Sequence, residues 1–186
     1  LIDYSTAVAV KATDKLSLGL GVFARNANVD LTSSMSGFEN EFDLEDWGWG
    51  LHVGAMYEFT KNTRLGVSYR SRSQHQIKGD FDFLKGASPA LGGLASYAGT
   101  YDAKLPMDAP EQVQLSGYHK LNDKIGLSAG AKWTRWNRFR ALVINTSNPV
   151  SPKVEVAQRW QNAWNVSVGM DYYHSENWTF RTGIGF

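Results

Sequence analysis

The segment Trp47-Gly48-Trp49-Gly50-Leu51-His52-Val53-Gly54-Ala55-Met56-Tyr57-Glu58-Phe59 alternates large apolar residues with small or polar ones. This alternation has the period of a β-strand, in which neighbouring side chains point to opposite faces. Both ends of the apolar face carry aromatic rings. We therefore interpret the segment as a strand with one apolar face framed by aromatic residues.

The length of this strand suits a membrane better than a soluble sheet. A strand rises about 3.3 Å per residue, which at a tilt of about 40° gives roughly 2.5 Å along the membrane normal. The run from Trp47 to Tyr57 thus spans about 25 Å, the height of the lipid-facing band between the two aromatic girdles of an outer-membrane barrel. Strands of soluble sheets are usually about half as long.

Short polar turns and longer loops alternate along the rest of the chain. We predict the turns at Asp14, Asn62, Asp123 and Glu176, and the loops at residues 32–46, 81–104 and 145–153. Short turns at one end and long loops at the other are typical of outer-membrane barrels. We predict an all-β fold, a transmembrane antiparallel β-barrel in the outer membrane with about eight strands in this chain, and residues 1–186 as one barrel segment.

Composition agrees with this interpretation and excludes other classes. The net charge of +1 indicates no nucleic-acid partner, and the absence of cysteine fits a cell-envelope protein without disulfides. No apolar run approaches the 18 or so residues of a transmembrane helix. The first residues show no signal peptide, and we expect the chain to be part of a longer protein.

The alternation also assigns charged residues to faces. Arg70 and Arg72 fall opposite Val67 and Tyr69, so we predict that both face the lumen, because an arginine facing lipid at the midplane costs about 2–4 kcal/mol. Arg135 continues the alternation of the lipid-facing residues that end at Trp133. We expect it among the lipid headgroups on the side of the membrane opposite the turn at Asp123. We read the acidic run at residues 39–46 as a solvated loop, with divalent-cation binding near lipopolysaccharide as the alternative.

Four basic residues predicted to face the lumen allow two interpretations; they are Arg25, Arg70, Arg72 and Lys78. They form either an electrostatic ladder with Glu58 and other carboxylates or a site that holds the carboxylate of an anionic ligand. The loop at residues 81–104 is unusually apolar, and a short helix there would cap an apolar site. The candidate ligand-binding residues are Phe23, Arg25, Met56, Arg70, Arg72, Lys78, Phe83, Leu84, Leu91 and Leu94.

We find no pattern for a metal site, a cofactor or a catalytic residue. The four histidines are scattered without metal-ligand spacing, and no nucleophile motif stands out. We therefore predict that the protein is not an enzyme.

Several motifs resemble the FadL family of outer-membrane long-chain fatty-acid transporters. The matching motifs run in family order and together cover nearly the whole chain. They are Asp46-Trp47-Gly48-Trp49-Gly50, Gly54-Ala55-Met56-Tyr57-Glu58, Leu65-Gly66-Val67-Ser68-Tyr69-Arg70-Ser71, Leu105-Pro106, Pro110-Glu111, Ser116-Gly117-Tyr118, Trp133-Thr134-Arg135-Trp136 with Phe139, and Asn177-Trp178-Thr179-Phe180-Arg181-Thr182-Gly183-Ile184.

The resemblance implies a 14-stranded barrel with an amino-terminal hatch, in which ligand enters from extracellular loops and leaves sideways through the wall. This chain would supply about eight central strands, without the hatch and the final strands. Arg70 and Lys78 fall where the family pattern also has basic residues, whereas the family's basic lumenal position late in the second strand aligns with Asn28. Some relatives carry aromatic hydrocarbons.

Together these features predict passive uptake of long-chain fatty acids or similar hydrophobic molecules across the Gram-negative outer membrane. We expect a monomer that contacts outer-membrane lipid and lipopolysaccharide. There are two alternatives. One is a small structural barrel, in which side chains would fill the interior, and the other is an outer-membrane hydrolase.

Overall fold

In the residues that the structure describes, twelve strands form one antiparallel hydrogen-bonded sheet. The structure, a computed structural model, describes residues 1–35, 38–85 and 89–186, apart from the side chains of residues 34, 35, 38 and 89–91. The strands are β1 (Ile2–Lys11), β2 (Leu16–Met35), β3 (Phe38–Thr60), β4 (Thr63–Arg70), β5 (Ser73–Lys85), β6 (Gly99–Ala109), β7 (Gln112–Lys120), β8 (Ile125–Thr134), β9 (Ala141–Thr146), β10 (Lys153–Ala157), β11 (Ala163–Tyr173) and β12 (Thr179–Gly185), with 3-10 helices at Pro89–Tyr97 and Trp136–Arg138.

We predicted about eight strands, and the twelve described strands make eight passes across the sheet. Four passes consist of two strands each, because β4 continues as β5, β6 as β7, β8 as β9 and β10 as β11 after a short interruption. The four interruptions lie at one level, since the cross-strand partners Arg70, Gln112, Thr134 and Ala163 border them in a single row. This row divides the sheet into a membrane-spanning part and an outer part.

The predicted turns are confirmed. Backbone hydrogen bonds close them, such as Ala12 N to Leu16 O (2.8 Å) and Leu121 N to Ile125 O (2.9 Å). All four turns join strands at the same end of the sheet, opposite the interruptions. By the usual topology of outer-membrane barrels, we expect this end to be periplasmic and the outer part to be extracellular.

The two faces of the membrane-spanning part differ as the alternation predicted. Apolar side chains on one face have large exposed fractions, such as 60% for Leu20, 70% for Trp49 and 54% for Val168. A soluble sheet would hide them, so this face meets lipid. The opposite face, which we term the lumenal face, carries Phe23, the even-numbered glycines of β3 and Met56.

The outer part has an apolar core of its own on the lumenal face. Phe42 and Phe81 stack there with ring centroids 4.2 Å apart. The remaining buried members of this outer core are Ala27, Leu44, Ile77, Ala103, Leu105 and Ile144.

The outer core corrects the predicted loop at residues 32–46. β2 extends to Met35 and β3 begins at Phe38, so most of the supposed loop is a paired hairpin. The acidic run hides a second period-two pattern, because buried Phe42 and Leu44 alternate with the exposed carboxylates Glu41, Asp43 and Glu45.

The other two loops are shorter than predicted. The segment 81–104 contains the end of β5 and the start of β6, and the predicted short helix is confirmed as the 3-10 helix Pro89–Tyr97. Residues 147–152 form the third connection, where buried Asn148 accepts the N–H groups of Val150 and Ser151.

Three of the described strands have one unpaired edge. β1 pairs with β2 alone, β12 pairs with β11 alone, and in the outer part β10 pairs with β9 alone. In the described residues no helix has the length and apolarity needed to cross a membrane.

Candidate functional site

Two of the predicted lumenal arginines meet at the level of the strand interruptions. Arg25 comes from β2 and Arg70 from the end of β4, and both bind the carboxylate of Asp3 on β1. The shortest nitrogen–oxygen distance is 2.6 Å for each pair. Arg25 uses Nε and Nη2 for both carboxylate oxygens, at 2.6 and 2.8 Å, so its pairing with Asp3 is bidentate.

These three side chains leave one positive charge uncompensated within the group. An arginine stays protonated at any pH that a protein meets, so two guanidinium groups face one carboxylate. The side chains of Arg70 and Asp3 are 27% and 33% exposed, and that of Arg25 is 16% exposed. A second anion can therefore reach the group and would make it neutral.

Phe23 forms the floor beneath the arginines. Its ring is buried, with the Arg70 guanidinium carbon 3.7 Å from the ring centroid and that of Arg25 at 5.5 Å. The ring also lies parallel to His52, with centroids 6.4 Å apart. A cation over an aromatic face is stabilised by the ring quadrupole, so Phe23 helps to hold Arg70 in position.

Glycine on β3 makes room for this floor. A Cβ atom at Gly50 would lie 2.6 Å from Phe23 Cε1 and 2.8 Å from Ser71 Oγ, and one at Gly48 would overlap the ring of His75. The small lumenal residues of β3 thus allow rings from β2 and β5 to lie flat against the sheet.

A buried polar pair lies directly outside the arginines. Ser73 Oγ is 3.0 Å from His75 Nε2, and Arg25 Nη1 donates to Ser73 Oγ at 3.4 Å. His75 Nδ1 is 3.7 Å from Asp46 Oδ2, which also accepts the backbone N–H of Gln76 at 2.8 Å. Burial lowers the pKa of His75, which belongs to β5 beyond the membrane-spanning strands, so the imidazole is neutral at pH 7.

Arg72 lies on the opposite face from Arg70. Its Nη1 is 3.4 Å from Oδ2 of Asp108, which pairs in register with exposed Gln74 and not with the buried residues beside it. The interruption at residues 71–72 reverses the alternation, so that odd-numbered residues of β5 face inward. The prediction that Arg72 faces the lumen is therefore corrected.

The prediction that Lys78 faces the lumen is also wrong, because the alternation is reversed along β5. It is exposed, and it pairs in register with Glu45 and Lys104, while neighbouring Ile77 is fully buried in the outer core. Its ammonium group belongs to the outer surface of β5.

The predicted apolar residues of the 81–104 segment disperse around the outer core. Phe83 packs against that core, with its ring centroid 5.7 Å from that of Phe81. Leu84 has a φ of 52° and borders a cleft of ≈ 440 Å³ between β5 and the 3-10 helix. Leu94 is 52% exposed, and the side chain of Leu91 lies outside the described part of the structure.

Lys85 borders that cleft, and carboxylates already balance its positive charge. Lys85 Nζ is 2.5 Å from Glu41 Oε2, and this contact raises the pKa of Lys85, with Asp82 adding to the effect. Lys85 therefore offers less charge to an anionic ligand than the Arg25–Arg70 group does.

Met56 lies in a wider space toward the periplasmic end. It helps to line a cleft of ≈ 620 Å³ whose floor is built mostly from glycine, serine and alanine, including Gly19, Gly54, Gly66 and Ser116. Small side chains keep this part of the lumenal face open.

Three features of the site were not predicted from the sequence. Asp3 lies on the small-residue face of β1, and this alternation indicates a lumenal position. The Ser73–His75 pair was hidden by the reversed alternation after Arg72, and the stacking of Phe42 on Phe81 joins strands that only the pairing of β3 with β5 brings together.

The whole chain, residues 1–186, matches the model of a family described as outer membrane protein transport protein (OMPP1/FadL/TodX). The long-chain fatty acid transport protein of Escherichia coli strain K12 is 30% identical over 144 residues, which are 75% of this chain and 32% of that protein. This chain thus spans about a third of the length of that relative.

Solved structures show the same fold. A FadL homologue of Pseudomonas aeruginosa superposes with a TM-score of 0.80 at 22% identity, covering 98% of this chain and 48% of that one. The toluene transporter TbuX of Ralstonia pickettii superposes with a TM-score of 0.73 at 18% identity, covering 97% and 53%.

Proposed function

Because the chain belongs to the OMPP1/FadL/TodX family of outer-membrane transport proteins, we propose that it forms part of the wall of a channel for passive uptake of hydrophobic molecules. The ligand class is a long-chain fatty acid or a similar amphiphile with one anionic group. The observation that carries this proposal is the Arg25–Asp3–Arg70 group, with two cations for one carboxylate on the lumenal face.

The open sheet supports a larger barrel around this segment. In lipid, each unpaired backbone group at a strand edge costs several kcal/mol, so membrane sheets close on themselves. The outer edges of β1 and β12 therefore require further strands. We propose that this chain is a segment of a barrel of about 14 strands, the family architecture that the sequence motifs imply.

The arrangement along the lumenal face suits an amphiphile. The outer core of apolar side chains begins at Ala27 and Ile77, one alternation beyond Arg25 and His75, which is roughly 7 Å along a strand. The buried side chains of this core are closed to a ligand, but partly buried apolar residues such as Met107, the register partner of His75, border it. An apolar tail would contact these residues while the anionic head binds the arginines. Phe23 separates these layers from the open cleft beside Met56, where the ligand would continue inward.

Three polar side chains in the outer part resemble the catalytic set of a hydrolase, which was the alternative function. Ser73, His75 and Asp46 follow one another like a nucleophile, a base and an orienting acid, with distances of 3.0 and 3.7 Å. However, Ser73 is completely buried, so a substrate carbonyl has no path to its oxygen. We propose that this set is structural and that uptake involves no covalent chemistry.

The small structural barrel is disfavoured for a different reason. Such a barrel fills its interior with side chains, whereas the lumenal face beside Met56 borders a cleft of ≈ 620 Å³.

The test compares binding of a long-chain fatty acid with binding of the matching alcohol to the whole outer-membrane protein. Arg70→Gln removes the excess charge, and we expect acid binding to weaken by about 1.5–3 kcal/mol, the usual worth of a hydrogen bond to a charged group. Alcohol binding should change little. Arg72→Gln is the matched control, because that arginine lies on the other face.

Isothermal titration calorimetry in detergent gives both affinities. Equal weakening of acid and alcohol would show that Arg70 acts only by shaping the lumen. Unchanged acid binding in Arg70→Gln would refute the carboxylate site and favour a neutral ligand such as an aromatic hydrocarbon.

A further inference from the structure

Four arginines and three aromatic residues lie where β8 and β11 leave the membrane-spanning part. They belong to two segments, residues 135–140 and 158–162, which we term the arginine step. Its arginines are Arg135, Arg138, Arg140 and Arg159, and its aromatic residues are Trp136, Phe139 and Trp160. The proposed uptake function assigns no role to this group.

Backbone contacts hold the two segments of the step together. The N–H groups of Gln158 and Arg159 both donate to Arg140 O, at 2.9 and 3.1 Å, and Asn137 N donates to Asn162 Oδ1 at 3.2 Å. Arg159 has a φ of 47°, an uncommon conformation for a residue other than glycine. Both strands are thus interrupted at the same height.

That height is the extracellular boundary of the membrane. Trp133 and Trp164 are cross-strand partners on the lipid-facing side, and Trp164 is 66% exposed. Tryptophan marks the interface between hydrocarbon and headgroups. Arg135 directly follows the end of β8, two residues after Trp133, so the step lies beside the headgroups of the outer leaflet.

A single carboxylate organises two of the arginines. Glu111 Oε1 is 2.9 Å from Arg135 Nη1 and 3.4 Å from Arg138 Nε, and the Glu111 side chain is only 10% exposed. The arginine side chains remain 40% and 37% exposed. One carboxylate oxygen uses few of the five N–H donors on each guanidinium group, so donors remain for another anion.

The aromatic residues form a wall beside these charges. Trp160 packs edge-on against Trp136, with ring centroids 4.8 Å apart, and lies 5.0 Å from Phe139. Trp160 is still 43% exposed. Charged groups beside an exposed indole suit a ligand that has both an anionic head and an acyl chain.

The balance of charge in the step is strongly positive. The step contains four arginines, and residues 135–140 and 158–162 contain no Asp or Glu. In the described part of the chain Glu111 is the one acidic residue bound to these arginines, and it contacts Arg135 and Arg138. Planar guanidinium groups match phosphate oxygens in a two-pronged geometry, and phosphate carries more charge than a carboxylate.

We propose that the arginine step binds the phosphate groups of a phosphorylated glycolipid in the outer leaflet of the outer membrane. Arg138 and Arg159 contact the phosphates, and Trp160 packs against the first carbons of an acyl chain. Glu111 is a positioning residue that holds Arg135 and Arg138 at this height. The site lies on the outside of the wall and is separate from the lumenal arginines.

The test measures lipid binding by the whole protein in detergent with native mass spectrometry. The probes are lipid A with both phosphates and the same lipid after dephosphorylation. Arg138→Gln with Arg159→Gln removes two exposed charges. The matched control is Arg181→Gln, whose side chain is 74% exposed near the periplasmic turns. The proportion of folded protein is checked by the migration of unheated samples in gels.

The expected loss follows from the charge removed. An arginine near an anionic membrane surface contributes about 1 kcal/mol, which corresponds to about five-fold in affinity, so the double variant should bind diphosphorylated lipid A roughly 25-fold more weakly. The Arg181→Gln variant should bind it like the unmodified protein. Dephosphorylated lipid A should bind weakly to all three proteins.

Three results would overturn the proposal. The first is an unchanged affinity of the folded double variant, and the second is equal binding of both forms of lipid A. The third is displacement of lipid A by an equal concentration of inorganic phosphate, which would assign the step to free phosphate. Fatty-acid binding is independent of each result, so this test does not depend on the proposed uptake function.

Discussion

Replacing Gly50 by alanine should destabilise the protein, although most replacements of glycine by alanine in a strand stabilise it. The added methyl group would enter the space occupied by Phe23, 2.6 Å from its Cε1 atom, and would also meet Ser71 Oγ at 2.8 Å. The phenyl ring has little freedom to retreat, because His52 stacks on it and Arg70 covers it.

A matched control lies four residues along the same face of the same strand. A Cβ atom at Gly54 would meet nothing closer than Val67 O at 3.4 Å and Ser68 Cβ at 3.7 Å, which are ordinary contacts. Both replacements reduce the conformational entropy of the unfolded chain by a similar amount, worth about 0.4–1 kcal/mol. The difference between the two variants therefore isolates the steric effect at Phe23.

Overpacking a well-filled site typically costs about 1–3 kcal/mol. We expect the free energy of unfolding of Gly50→Ala to lie below that of Gly54→Ala by this amount, with Gly54→Ala equal to or above the unmodified protein. Urea unfolding in lipid vesicles, followed by tryptophan fluorescence, measures both values. Equal stability of the two variants would refute the contact between Phe23 and β3 on which the lumenal site depends.

Two further predictions test the faces and the orientation of the sheet. Val53→Arg should destabilise the barrel by about 2–4 kcal/mol, because Val53 faces lipid midway between the girdles, whereas Met56→Arg should cost much less since Met56 faces the lumenal cleft; similar losses in the urea assay would contradict the assignment of faces. Val150 is 43% exposed in the outer part. A cysteine at this position should react in intact cells with a thiol reagent that cannot cross the membrane, whereas a cysteine at Asn62 should not. Labelling at Asn62 alone would show that the assigned orientation in the membrane is wrong.

The strands of the membrane-spanning part could be predicted because lipid imposes a simple rule on them. Every second residue meets hydrocarbon, so the pattern in Trp47–Phe59 defines the membrane-spanning part of the strand and its outer face without knowledge of its neighbours. Turns such as Lys61-Asn62 are local as well. The same reasoning placed Arg70 on the lumenal face from its phase alone.

The strands of the outer part were harder to predict, because their outward residues are no longer required to be apolar beyond the membrane. There the outward face meets water, so Glu41, Asp43 and Glu45 took the positions that aromatic residues hold farther along β3, and the strand looked like an acidic loop. Its inward residues Phe42 and Leu44 gain partners only through the pairing of β3 with β5.

The sequence by itself determined the membrane-spanning strands, their faces, and the lumenal position of Arg25 and Arg70. Only the tertiary structure decided which charges meet. The interruption at residues 71–72 turned Arg72 and Lys78 outward, because one residue out of phase exchanges the two faces of a strand. Register then brought Asp3 between Arg25 and Arg70, and it brought Glu111 to Arg135 and Arg138. Such contacts join residues far apart in the chain, and no local pattern records them.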